Sequence, residues 1–166
     1  LLRQPGTYYP TFFGSGIGTD STRFPNSSAV VLGNHNDTTG PNSAEFAISV
    51  GYYSGQLSQG SGSIAIGQMA GYNSQNEYSV AIGYGAGQTL QNSNSITIGN
   101  NAGNQNQSSY SISIGFLSGY QNQGTNSIAI GRESGNTMQY TNAIAFGNGA
   151  GYDSQGTGAI AVGYQT

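Results

Sequence analysis

The chain of 166 residues has no cysteine, no tryptophan and no lysine. Without cysteine it can form neither disulfides nor thiolate metal sites. Arg3, Arg23 and Arg132 are the only strong cations and stand against six carboxylates. That balance cannot neutralise a phosphate backbone, so nucleic acid is not an expected partner. No apolar run approaches the roughly 20 residues of a membrane span, so membrane insertion is not expected, and Leu1–Pro10 lacks the pattern of a secretory signal. Charged residues make up only 5% of the chain, where an ordinary globular protein carries about 25%. Low charge with 28 glycines is also the composition of a disordered chain, and what decides against disorder is periodicity.

A sixteen-residue unit runs seven times from Ala47 to Gly158, and an eighth copy begins at Ala159. With Ala47 as position one, position five is always glycine: Gly51, Gly67, Gly83, Gly99, Gly115, Gly131, Gly147 and Gly163. Position nine is glycine at Gly55, Gly71, Gly87, Gly103, Gly119, Gly135 and Gly151. Position thirteen is Gln59, Gln75, Gln91, Gln107, Gln123, Gln139 and Gln155. A fixed period with fixed glycines is one supersecondary unit stacked on copies of itself.

Positions one to five alternate small and β-branched residues, as in Ser63-Ile64-Ala65-Ile66-Gly67, which predicts a strand with one buried face. The expected structural core is two ladders, Ile64, Val80, Ile96, Ile112, Ile128 and Ile144, and Ile66, Ile82, Ile98, Ile114, Ile130 and Phe146. Between them Ala65, Ala81, Thr97, Ser113, Ala129 and Ala145 would form a flat outer face open to another chain. Gly67, Gly71, Gly83, Gly87, Gly99, Gly103, Gly115, Gly119, Gly131 and Gly135 would be corner glycines. The glutamines would stack as a structural amide ladder on a second, wetter strand. The fold expected is therefore all-β, a parallel β-roll or β-helix solenoid of sixteen-residue coils spanning 47–166. Residues 29–46 would make an irregular first coil, and 1–28 a non-repetitive cap or docking segment. A roll this thin looks marginal alone, so a homo-oligomer is expected, with further protein covering the half-coil at Ala159.

Chemical candidates are few. His35 is the only histidine, and with Asp37 beside it lacks the partners of a triad or metal site. Strings such as Gly83-Tyr84-Gly85-Ala86-Gly87 open no helix and are corners rather than a dinucleotide fingerprint. A calcium-binding roll needs an Asp in each turn, whereas Asp153 and Glu77 are isolated. No recurring carboxylate cluster supports a polysaccharide lyase. An ice-binding array would need regular threonines, and only Thr125, Thr141 and Thr157 stack in succession. Asn26, Asn36 and Asn106 fit the N-glycosylation pattern. The tyrosines at positions six, ten and sixteen are too irregular for a ladder, and the alternatives for them are stacking on sugars or on another chain and plain surface packing. No cofactor and no catalytic residue is expected, and the chain does not read as an enzyme.

The Ser-Ile-Ala-Ile-Gly phrase, with its Ala/Ser-Gly corner and glutamine, resembles the head repeats of trimeric autotransporter adhesins. It is similar also to the Ile-Ala-Ile-Gly repeats in fibre and tail-fibre proteins of phages and large DNA viruses. The resemblance covers Ala47 to Thr166. It implies a left-handed, trimeric parallel β-roll and a structural role in a surface-exposed fibre or attachment appendage, extracellular or on a virion. It also implies self-association and contact with a cell-surface glycan or host receptor. The alternative is a capsid-associated or self-assembling filament protein joined end to end.

Overall fold

The computed structural model describes residues 11–13, 30–33 and 45–166, with backbone alone for 11–13. It is a parallel β-solenoid of about eight sixteen-residue coils. Among the described residues there is no helix, and hence none long and apolar enough to cross a membrane.

Each coil contributes one short strand to each of two sheets. The ten-stranded sheet takes positions two to four of every unit, from Ile48–Val50 through Ile64–Ile66, Val80–Ile82, Ile96–Ile98, Ile112–Ile114, Ile128–Ile130 and Ile144–Phe146 to Ile160–Val162. It is extended at its start by Val30–Leu32 and Thr11–Phe13. The segment 11–13 is thus one more rung, though it lies ahead of the regular period. The seven-stranded sheet takes the strands that end on each glutamine, from Leu57–Gln59 to Ser154–Gln155. Pairing is parallel and offset by one repeat, so that Ile112 faces Ile128 and Gln107 faces Gln123.

Two turns close each coil, and both have the type II pattern. The position-eight amide donates to the position-five carbonyl, as Ala70 does to Gly67 at 3.2 Å, around a positive φ of 58° at Met69. Across the coil the Ser63 amide donates to the Gly60 carbonyl at 3.3 Å, around Gly62 at φ 66°.

Position five requires glycine for two reasons at once. Gly99 has φ 134°, and a Cβ there would sit 2.8 Å from the carbonyl carbon of Gly115 in the next coil. Backbone stacks directly on backbone at that corner, leaving no volume for a methyl group.

The orientation of the large sheet reverses the expectation from the alternating pattern. Ala65, Ala81, Thr97, Ser113, Ala129 and Ala145 are fully buried inside the coils. The aliphatics on either side of them face outward: Ile64, Val80, Ile82, Ile96, Ile112, Ile114, Ile128, Ile130 and Ile144 are half-buried, and Ile66, Ile98 and Phe146 are exposed. The physical reason is thickness. The Gln75 side chain crosses the whole interior and donates from Nε2 to the Ile64 carbonyl of the opposite strand at 2.8 Å. With one glutamine spanning the gap, only a methyl or hydroxyl fits opposite it.

Candidate interaction surface

The interior is built from four positions, one, three, eight and thirteen. Its largest fully buried side chains are Gln59, Gln75, Gln91, Gln107, Gln123 and Gln139, followed by Thr97. Among the described residues no leucine, isoleucine, phenylalanine or tyrosine is buried, and Val31 is the largest buried apolar residue. Polar packing of this kind is tolerable only when its hydrogen bonds are made. Most are. Gln123 Nε2 donates to the Ile112 carbonyl at 2.9 Å and to Gln139 Oε1 at 2.9 Å, and Gln139 Nε2 donates to Gln155 Oε1 at 3.0 Å. Gln107 begins this amide chain by donating to Gln123 at 2.5 Å. Position-one serines add a second ladder, each hydroxyl donating to the carbonyl three residues back, as Ser79 does to Asn76 at 2.6 Å.

The glutamines expected to form a ladder are therefore buried, and their job is to fill and bond the core. The amide chain is continuous only from Gln107 to Gln155. Ser113 donates to Gln123 Oε1 within its own coil. Where position three is Ala65 or Ala81, Gln75 Oε1 and Gln91 Oε1 have no hydrogen-bond partner. The corner glycines are where the spacing placed them: position five carries φ of 125–134° from Gly51 to Gly163, and position nine carries φ of 51–56° from Gly55 to Gly151. A Cβ on Gly71 would lie 2.7 Å from the amide carbon of Gln75, so the second glycine makes room for the core glutamine.

The two outer surfaces differ in chemistry. On the seven-stranded sheet, positions eleven and twelve both face outward, and position twelve has positive φ in Ser58, Ser74, Leu90, Asn106 and Asn122. This face is rich in amides and hydroxyls. Asn106 stands exposed on it and donates to Asn122 Oδ1 at 2.9 Å, while Gln107, the middle residue of its glycosylation pattern, is buried. Asn26, Asn36 and His35 lie outside the described residues.

The ten-stranded sheet instead presents two unbroken ladders of Ile, Val and Phe to the outside. They run from Ile48 to Ile160 and from Val50 to Val162, with no charged residue in either. Aromatic residues stand at both lateral ends of these strands. Alternation showed that one face of the strand is apolar; which face points inward was legible only from the smallness of positions one, three and eight together with the constant glutamine.

Sites for covalent chemistry are sparse. Among the described residues no group of three or more His, Cys, Asp or Glu could hold a metal ion. A cleft at the last two coils is lined by Glu133, Asn148, Asp153, Gln165 and Thr166, with neither histidine nor lysine. Arg132 pairs with Glu133 at 3.0 Å and lies over the Phe116 ring at 5.9 Å. The Tyr52 hydroxyl has its pKa raised, chiefly by its hydrogen bond with Tyr53.

Comparison with protein-family models, with curated proteins and with solved structures found no match.

Proposed function

We propose that this chain is a non-enzymatic structural module of a fibre or attachment appendage, assembled from copies packed through the outer face of the ten-stranded sheet. The observation that carries the reading is the placement of the aliphatics. Nearly all the large β-branched side chains of the repeat stand outside a core made of amides, hydroxyls and methyls. Two apolar ladders this long are costly to leave in water and gain about 25 cal/mol for each Å² covered. The amide-rich opposite face would remain towards solvent. Three copies with their isoleucine sheets around a common axis make the trimer that the resemblance implies, with its left-handed coil sense. Stacked coils rising about 4.8 Å each give a stiff rod, and repetition presents any weak outward contact, to a host receptor or surface glycan, many times over. Such a module belongs on a cell or virion exterior.

Light scattering tests this directly. The unmodified chain should be a discrete oligomer at micromolar concentration. Ile114→Glu with Ile130→Glu should yield monomers whose circular dichroism still shows β-structure. A stable monomer of the unmodified chain would overturn the reading.

A further inference from the structure

The sixteen-residue repeat carries a second period of thirty-two. Position sixteen is aromatic at Phe46, Tyr78 and Tyr110, and position six is aromatic at Tyr52, Tyr84 and Phe116. These six residues flank three strands, every second one in the sheet. In the intervening coils the same two positions are Gly62 and Gln68, Asn94 and Asn100, and Asn126 and Arg132. When the aromatic lapses at Asn142 it lapses at Asn148 as well, and only Gly158 with Tyr164 breaks the agreement. All six are exposed, Tyr78 at 63% and Tyr84 at 49%.

Within one chain the position-six rings have partners on their own edge, Tyr53 beside Tyr52 and Arg132 over Phe116, and these do not tie the phase of one edge to that of the other. Tyr78 and Tyr84 lie in the turns on either side of the strand Val80–Ile82, whose extended backbone alone holds them more than about 10 Å apart at about 3.3 Å per residue. Their rings cannot reach each other across that strand. A ligand lying along one edge would select the spacing of that edge alone. Packing of like edges, as in an antiparallel pair, would likewise leave the phase between the two edges free. Phase agreement is required when the position-sixteen edge of one copy meets the position-six edge of the next at the same height.

We propose that the two aromatic edges are a register key: in the assembly, Phe46, Tyr78 and Tyr110 of one copy pack against Tyr52, Tyr84 and Phe116 of a neighbouring copy in the same coil. The partner is a second copy of this chain, parallel and unshifted. A shift of one coil would set each aromatic row, with its roughly 9.6 Å spacing, against the Gly, Asn, Gln and Arg of the intervening coils. Ring-on-ring contacts would be lost at every rung. The key rests on the isoleucine face being a self-association surface, and adds direction and register to it.

The absence of native cysteine makes the test clean. The full chain carrying Tyr78→Cys and Tyr84→Cys is treated with a short bismaleimide, and covalent oligomers are read on a denaturing gel beside light scattering. A cross-linked band is expected from this pair, and from Tyr110→Cys with Phe116→Cys. It should be lost in each single variant and in Tyr78→Cys with Asn100→Cys. A band from Tyr78→Cys alone means that like edges meet, and a stronger band from the Asn100 pair means a one-coil stagger; either overturns the key. Oligomers with no band in any pairing also overturn it, leave the isoleucine interface standing and make the edges available to a glycan. A monomer overturns both. Independently, Tyr110→Asn with Asn126→Tyr should raise the concentration at which the oligomer dissociates about tenfold, as loss of an aromatic pair predicts. Adding Phe116→Asn with Arg132→Tyr should restore it, and failure of that rescue counts against the key.

Discussion

A core glutamine oxygen is satisfied in two ways, by the amide of the preceding glutamine, as at Gln139 and Gln155, or by a position-three hydroxyl. Ser113 donates to Gln123 Oε1, while Gln91 Oε1, opposite Ala81, has no partner. Leaving a buried acceptor unpaired costs about 1–3 kcal/mol. Ala81→Ser should therefore raise stability by about 1 kcal/mol in a denaturant titration; lower stability would mean that the coil has no room for the oxygen. Position five sets the opposite limit. Gly99→Val places a Cβ against the Gly115 carbonyl, whereas Asn100→Ala next to it alters an exposed side chain. Strain and overpacking of about 1–3 kcal/mol each should separate the melting temperatures of the two variants by several degrees. Equal values would contradict the stacking of corner on corner.

At the level of elements, the strands, their parallel order and their corners were legible because period and glycine placement are backbone requirements. The direction of the strand faces was not legible from alternation. Ser-Ile-Ala-Ile-Gly alternates equally well with isoleucine in or out, and hydrophobicity alone points isoleucine inward. Cross-section decides the matter: a coil one glutamine thick accepts Ala65 and excludes Ile66. The notion that Ala129 lies on an outer docking face fails for the same reason, since Ala129 is fully buried. The left-handed backbone at position twelve, present from Ser58 to Asn122 but not at Met138 or Ser154, was also hidden, because serine, leucine and asparagine share it. Its effect is to turn both positions eleven and twelve towards solvent, so the ladder pairs Gln105 with Gln121 and Gln107 with Gln123 but skips the residue between. Leu90 has φ 55° there and is half exposed. Leucine in this region costs roughly 1 kcal/mol more than asparagine. Leu90→Asn should thus stabilise the fold by up to about 1 kcal/mol in thermal or denaturant unfolding, and a clear loss would show that the Leu90 side chain packs usefully on its neighbours.

For the whole molecule, the division between a polar interior and an apolar exterior couples folding to association in the proposed assembly. Backbone ladders and amide bonds define the coil, while the large aliphatics, whose burial ordinarily dominates stability, stand on the outside, where the proposed packing of copies would cover them. A protein stabilised by association melts at a temperature that rises with its concentration, because dilution favours the separated chains. The unmodified chain should show that rise over a hundredfold range of concentration, and Ile114→Glu with Ile130→Glu should melt lower and without it. Ala129→Trp provides the contrast. An indole cannot enter a space that holds a methyl group opposite Gln139, so this change should lower the melting temperature at every concentration and weaken β-structure itself. If Ala129→Trp instead left the coil intact and only reduced the oligomer, position three would have to face outward, and the inverted core would be wrong.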